Sequence, residues 1–242
     1  MTKRCLLIMA PRWQKRWAVL LGGEKAATEK PEKPARAGVP GVRVTTALQW
    51  TSDDQFKTED VIVAYCYLAW TDERLAQVRR YLQAGGGLVL IHSPTWTRPQ
   101  PSRQVAEVIG IGGFRRYRHG PVRLEIAASD HPICKGLPGK TLLEADETYW
   151  PPTPTMDRVL VLASASEPQE SRGDAAKTVQ PMLWCYEPGR GRVFGCVPGH
   201  RAKTFDNPLF RTFLLRGIVW AAGRRPDRLV VPAGGGDSST LP

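Results

Sequence analysis

The chain has 242 residues, of which 42% are hydrophobic, and it carries a formal net charge of +11. This size allows one substantial core and favours a single α/β domain. Its apolar stretches fall far short of the roughly 20 residues that span a bilayer, and its first residues do not form a secretory signal, so we expect a cytoplasmic protein without membrane contact. Five cysteines without CxxC spacing indicate reduced thiols rather than disulfides or a zinc ribbon.

The positive charge raises the question of nucleic-acid binding, because clustered Lys and Arg displace counterions from a phosphate backbone. The basic residues are spread over segments 12–16, 25–36, 115–118 and 224–228. None of these segments has the alternating basic and aromatic pattern of an RNA-binding sheet, although Arg115-Arg116-Tyr117-Arg118 comes closest. Surface charge or an anionic small ligand explains the charge better than a nucleic-acid partner.

The amino-terminal half predicts a βαβ unit. Residues 5–10 and 42–46 read as strands, and between them segment 22–40, rich in Gly, Pro, Lys and Glu, predicts a mobile insertion. Residues 60–67 then predict a buried strand, followed by a helix whose N-cap is Thr71. Gly85-Gly86-Gly87 ends that helix, and residues 88–91 return as a second buried strand.

The remaining chain predicts further strands and one helix. Turn residues separate strands at 122–127, 141–143, 159–163, 182–186 and 192–197. Asn207-Pro208 begins an apolar helix that ends at Gly223, and segment 224–242 predicts a disordered tail. We therefore predict one domain over residues 1–223, an α/β fold with a mostly parallel sheet and helices on both faces.

Two histidines follow predicted strands directly. In open parallel sheets, ligands bind outside the carboxyl ends of the strands, and His92 and His200 both come at such ends. Glu144-Ala145-Asp146-Glu147-Thr148-Tyr149 adds carboxylates and an aromatic ring after another strand. Because neighbouring residues of an extended chain point to opposite sides, only one of Asp146 and Glu147 faces the crevice, and Glu147 shares its face with Tyr149.

This set of side chains leaves several roles open. The carboxylate could orient an imidazole, act as a general base, or complete a metal site, with zinc favoured by imidazole and carboxylate ligands. Equally, the histidines could bond only to backbone groups, and the acidic residues could form a solvated turn. Ser93 lacks a Gly-x-Ser-x-Gly elbow and Cys66 lacks recognisable partners, so neither predicts a nucleophile. Trp96 and Tyr149 offer flat apolar faces that suit a sugar ring.

Several segments, taken in order, resemble the ThuA-like (trehalose utilisation) family of the class I glutamine amidotransferase-like superfamily. They are Tyr81-Leu82-Gln83-Ala84-Gly85-Gly86-Gly87-Leu88-Val89-Leu90-Ile91-His92, then His119 after Gly112-Gly113-Phe114, Asp130-His131-Pro132-Ile133, Asp146-Glu147-Thr148-Tyr149, Pro181-Met182-Leu183-Trp184, Gly199-His200 and Asn207-Pro208-Leu209-Phe210-Arg211. The resemblance implies a flavodoxin-like sheet without the amidotransferase nucleophile, and a role in disaccharide metabolism that includes 3-keto sugars.

The resemblance also implies a site. Its catalytic residues would be His92, Glu147 and His200, and its substrate-binding residues Trp96, His119, Asp146 and Tyr149. We expect a hydrolase, isomerase or lyase acting on a small sugar derivative, with or without a divalent metal. The chain departs from the family in its first loop, Ala10-Pro11-Arg12-Trp13-Gln14-Lys15-Arg16, which has no histidine. A catalytically silent ThuA-like module that binds a ligand or a protein is therefore the alternative, and a homo-oligomer stays open.

Overall fold

The computed structural model of the chain describes residues 3–9, 42–97, 100–169 and 173–229. The predicted insertion at 22–40, the first loop at 10–16 and residues 230–242 of the predicted tail lie outside these ranges. None of the helices within them is long and apolar enough to cross a membrane. The strands are β1 (Lys3–Met9), β2 (Val42–Ala47), β3 (Val61–Tyr65), β4 (Gly87–Ile91), β5 (Phe114–Ile126), β6 (Lys140–Pro152), β7 (Leu160–Gln169), β8 (Gly173–Tyr186) and β9 (Arg192–Cys196), and the helices are α1 (Asp53–Thr58), α2 (Asp72–Gln83), α3 (Arg103–Ile109) and α4 (Pro208–Ala221).

The nine strands form one mixed sheet in the order β2-β1-β3-β4-β9-β8-β7-β5-β6. Strands β2, β1, β3, β4 and β9 are parallel, in the 2-1-3-4-5 order of doubly wound sheets. From β9 onward every pairing, through β8, β7, β5 and β6, is antiparallel. The α/β class is thus confirmed, and the sheet is mixed rather than parallel throughout, because four strands extend the parallel part in antiparallel pairing.

Helices cover both faces of the parallel part, as predicted. On one face α4 approaches so closely that a Cβ on Gly87 would lie 2.2 Å from the Ala221 carbonyl oxygen. On the other face the Trp184 indole packs over Gly195 and donates a hydrogen bond of 3.0 Å to the Ile109 carbonyl at the end of α3. Every residue of β3 and β4 is buried, as expected for strands covered on both sides.

The predicted helix ends are confirmed by their capping bonds. Thr71 Oγ1 accepts from the Arg74 amide at 3.3 Å, and Asn207 Oδ1 accepts from the Phe210 amide at 3.0 Å. Beyond α4, the described part of the predicted tail forms a 3-10 turn at Pro226–Arg228. Arg216 in α4 donates to the Leu229 carbonyl at 3.1 Å, so this first part of the predicted tail is bound to the domain.

The hairpin of β5 and β6 is much longer than predicted. Each strand has 13 residues, where the sequence predicted only 122–127 and 141–143. The added part of β5 carries Arg115, Arg116 and Arg118, whose charges hide the strand from a hydrophobic pattern. This longer hairpin pairs His119 with Glu147 and so carries both residues toward the site described below.

Gly195 provides a test of the packing between sheet and helices. A Cβ at this position would lie 2.2 Å from the buried Trp184 ring, so Gly195→Ala should reduce the free energy of unfolding by about 1–3 kcal/mol. Urea unfolding followed by circular dichroism measures this loss. Gly139→Ala is the matched control, because a Cβ there meets nothing within 4 Å. Equal urea midpoints for Gly195→Ala and Gly139→Ala would contradict the close packing of Trp184 on Gly195.

Candidate active site

His92 lies on a strained turn at the end of β4. Its φ of 62° and ψ of −111° make it the single non-glycine residue with positive φ in the described part of the chain. Its amide donates to the Cys196 carbonyl at 2.7 Å, and its own carbonyl accepts from Thr95 Oγ1 at 2.7 Å. Strained backbone of this kind clusters at functional sites, and a sharp turn after a strand is also how α/β-hydrolases present a nucleophile.

The His92 ring is buried and held in one orientation. Nδ1 lies 2.9 Å from the Val197 carbonyl oxygen, which only accepts, so Nδ1 carries a proton. In the neutral ring the lone pair is therefore on Nε2. That atom lies 3.0 Å from the Tyr149 hydroxyl, and the Tyr149 ring stacks on the imidazole with centroids 5.1 Å apart.

Three potential metal-ligand atoms converge at this point. His92 Nε2 lies 3.1 Å from His200 Nδ1 and 3.3 Å from Glu147 Oε2, and the Glu147 and His200 atoms are 2.8 Å apart. Glu147 is 8% exposed, so its carboxylate meets little water. The three residues predicted to be catalytic are thus brought into one cluster from the ends of β4 and β9 and from the middle of β6.

The site shifts the pKa of two of these groups. Burial raises the pKa of Glu147, but a hydrogen bond from the imidazolium form of His92, followed by the nearby His200 and His119, opposes this, and the pKa of Glu147 lies below its ordinary value. Burial, followed by the neighbouring His92, lowers the pKa of His200, although Glu147 opposes this. At neutral pH Glu147 is therefore a carboxylate and His200 a neutral imidazole, the forms that accept protons or bind metals.

Asp146 faces away from Glu147, as the alternation of a strand requires. Its carboxylate accepts from the amides of Glu147 at 2.7 Å, Gly199 at 3.0 Å and His200 at 2.7 Å, and it is 1% exposed. These bonds join β6 to the loop after β9. The carboxylate of Asp146, which the sequence analysis expects to bind substrate, thus accepts from backbone amides in this structure.

The residues predicted to bind substrate lie around the cluster as aromatic rings. Trp96 packs edge-on against Tyr149 with centroids 4.9 Å apart, and the exposed His119 lies 5.0 Å from the His200 ring. Tyr117 also contacts Trp96, at 5.9 Å, and was missed by the sequence analysis. It alternates with His119 along β5, a signal that the short predicted strand did not include.

The cysteines near the strand ends have no reactive thiolate. Burial raises the pKa of Cys66 to about 11 and raises that of Cys196 well above its ordinary range. Since the thiolate is the nucleophilic form, both are protonated and weakly reactive at neutral pH.

The donor set fits a divalent metal. His92, Glu147 and His200 each offer one ligand atom within 4.8 Å of the others. Two ligands of a tetrahedral zinc ion with bonds near 2.0–2.1 Å lie about 3.3 Å apart, close to the spacing found here. The bond from His92 Nδ1 to the Val197 carbonyl also has the form of the outer hydrogen bond that orients a metal-binding histidine.

The fold and site define an α/β protein with a cluster of two imidazoles and a carboxylate near the carboxyl ends of its parallel strands. Residues 24–221 match the family described as ThuA, trehalose utilisation, and the chain belongs to that family. No curated protein matches the sequence.

Solved structures share the fold at low sequence identity. A ThuA-like protein from Parabacteroides merdae is 21% identical with a TM-score of 0.66, over 96% of this chain and 94% of that one. Another from Bacteroides uniformis is 17% identical with a TM-score of 0.66, over 93% of this chain and 95% of that one. A β-galactosidase from Bacillus circulans sp. alkalophilus is 13% identical with a TM-score of 0.51, over 93% of this chain and 32% of that one.

The strain at His92 can be measured by substitution. An L-residue with positive φ costs roughly 1–2 kcal/mol, whereas glycine adopts this conformation freely. His92→Gly should therefore be more stable than His92→Ala by about 1 kcal/mol, read as the free energy of unfolding in urea. At the exposed helical position Arg79 the order should reverse, with Arg79→Ala more stable than Arg79→Gly. The same order at both positions would refute strain at His92.

Proposed function

We propose that this protein is a carbohydrate-processing enzyme that acts on a disaccharide or keto-sugar derivative by general acid and base chemistry. The observation that carries the proposal is the convergence of His92 Nε2, Glu147 Oε2 and His200 Nδ1 within 3.3 Å of one another. Membership of the trehalose utilisation family supports a sugar as the substrate. A cytoplasmic location is part of this proposal.

The protonation states assign the base. Glu147, whose pKa is lowered, is a carboxylate at neutral pH and is well placed to remove a proton from a carbon next to a sugar carbonyl, or from a hydroxyl. His200 is half-buried and neutral, so it can receive that proton and return it to the leaving oxygen. Asp146 holds the His200 backbone, which fixes the distance over which the proton moves.

His92 and Tyr149 form the fixed side of the pocket. The proton on His92 Nδ1 is bonded to the Val197 carbonyl, so the ring presents Nε2 to the substrate. The Tyr149 hydroxyl lies 3.0 Å from that nitrogen and can donate either to it or to a negative oxygen that develops on the substrate. If the protein binds a divalent metal, His92, Glu147 and His200 would hold it, and it would polarise a carbonyl and stabilise an enolate.

The second candidate is a catalytically silent ThuA-like module that binds a ligand or a protein. The unusual first loop with Arg12 and Trp13 favours it, but that loop lies outside the described residues. The convergence of the three side chains favours the enzyme, because a silent module has no need to keep a buried carboxylate against two imidazoles.

Turnover of 3-keto-glycosides tests the enzyme proposal. We expect wild-type protein to consume them and release a free sugar, and His92→Ala and His200→Ala to lose at least about 100-fold in kcat/KM, the scale of a lost general acid or base. His131→Gln is the matched control, since His131 lies in a separate turn beside Trp220. Repeating the assay after chelation and zinc addition shows whether a metal takes part. No wild-type turnover, or unchanged turnover in both alanine variants, would overturn the proposal.

The pH profile provides a separate test. Because the lowered pKa values keep Glu147 ionised and His200 neutral, kcat/KM should be flat around neutral pH and fall on acidification. The midpoint of the fall should lie below about pH 6.5, the ordinary value for histidine. In His200→Gln, the part of the fall in kcat/KM that comes from protonation of the His200 imidazole should be absent. A wild-type midpoint above pH 7 would contradict the assigned protonation states.

A further inference from the structure

Six aromatic side chains form a closed circuit around the candidate active site. Each ring contacts the next, with centroids no more than 5.9 Å apart. The members in order are His92, Tyr149, Trp96, Tyr117, His119 and His200. The carboxylate of Glu147 contacts two neighbouring members of this circuit, His92 and His200. The circuit therefore connects the catalytic cluster to the protein surface through rings alone.

The circuit has an inner and an outer part. His92 and Tyr149 are buried, at 5% exposure each, whereas Tyr117 is 58% exposed and His119 is exposed. Trp96 stands between the two parts, because it contacts Tyr149 on the inner side and Tyr117 on the outer side. The outer part, beyond Trp96, therefore lies next to the catalytic cluster and on the side of the protein surface.

Trp96 and Tyr117 form a corner that is open to solvent. Their rings meet edge to face at 87° with centroids 5.9 Å apart, so the two ring planes form a right angle. Packing does not account for Tyr117, because more than half of its surface stays exposed. A large aromatic ring left exposed beside a buried cluster of titratable side chains is typical of a ligand contact.

We infer that this corner, named here the Trp96–Tyr117 corner, is a second subsite that binds the sugar ring attached to the reacting one. The inference rests on the proposed function and narrows its substrate to a two-ring saccharide. Two aromatic faces at a right angle suit the C–H face and edge of a pyranose. The exposed His119 ring, 5.8 Å from Tyr117, supplies the hydrogen-bonding edge that sugar hydroxyls need.

The position of Trp96 explains why the corner would hold the neighbouring ring rather than the reacting one. A sugar placed over His92 and Glu147 lies on the Tyr149 side of Trp96, and the next unit of a saccharide lies on its Tyr117 side. Tyr117 is therefore proposed as a specificity residue. It favours two-ring ligands over one-ring ligands without contact to the reacting atoms.

Equilibrium binding of unoxidised sugars tests this subsite independently of turnover. Trehalose and glucose serve as the two-ring and one-ring probes, with binding followed by tryptophan fluorescence and calorimetry. Tyr117→Ala should weaken trehalose binding by about 5- to 10-fold, the effect of a lost ring contact, and change glucose binding by less than about 2-fold. Tyr117→Phe should restore trehalose affinity. Val179→Ala is the control, because Val179 is 72% exposed on β8.

The outcomes separate the subsite from the enzyme. If trehalose binding depends on Tyr117 but 3-keto-glycosides are not turned over, the subsite is supported and the enzyme proposal is overturned. If 3-keto-glycosides are turned over but Tyr117→Ala leaves trehalose binding unchanged, the enzyme proposal is supported and the subsite is overturned. Equal weakening for both sugars, or no wild-type binding of either, would overturn the subsite. Tyr117-dependent binding of choline in place of trehalose would assign the corner to a cation instead.

Discussion

The carboxylate of Asp146 holds the candidate site together. It is almost fully buried and accepts hydrogen bonds from the amides of Glu147, Gly199 and His200. Two of these amides follow β9 and one belongs to β6, so a single side chain joins the parallel and antiparallel parts of the sheet. Leaving a buried donor without an acceptor costs about 1–3 kcal/mol. The spacing of Glu147 and His200 therefore depends on a residue that does not face the ligand.

Much of the site could be predicted from strand ends and alternation. His92 and His200 follow buried strands, and the carboxyl ends of parallel strands meet at one edge of the sheet, so their proximity follows from the fold class. Alternation along β6 places Glu147 and Tyr149 on one face and turns Asp146 to the other. The βαβ unit and both helix N-caps were also predictable, since Thr71 and Asn207 carry local signals.

The rest depends on contacts that a local pattern does not contain. The proton on His92 Nδ1 is assigned by the Val197 carbonyl, 105 positions away in the chain. The antiparallel extension was underestimated because Arg115, Arg116 and Arg118 break the hydrophobic alternation of β5, while cross-strand pairing with β6 stabilises it. Tyr117 was missed for the same reason, and the positive φ of His92 follows from the turn that its neighbours impose.

The place of β9 has a consequence for how the chain folds. It is the last in sequence of the strands that the structure describes, yet it lies between β4 and β8 and is the link between the two parts of the sheet. Until it inserts, β4 and β8 each present an open edge, which is a hazard for pairing with other chains during synthesis. Val197 and His200, which contact His92, follow this strand directly in the chain. The candidate site therefore depends on a strand pairing that joins residues more than 100 positions apart.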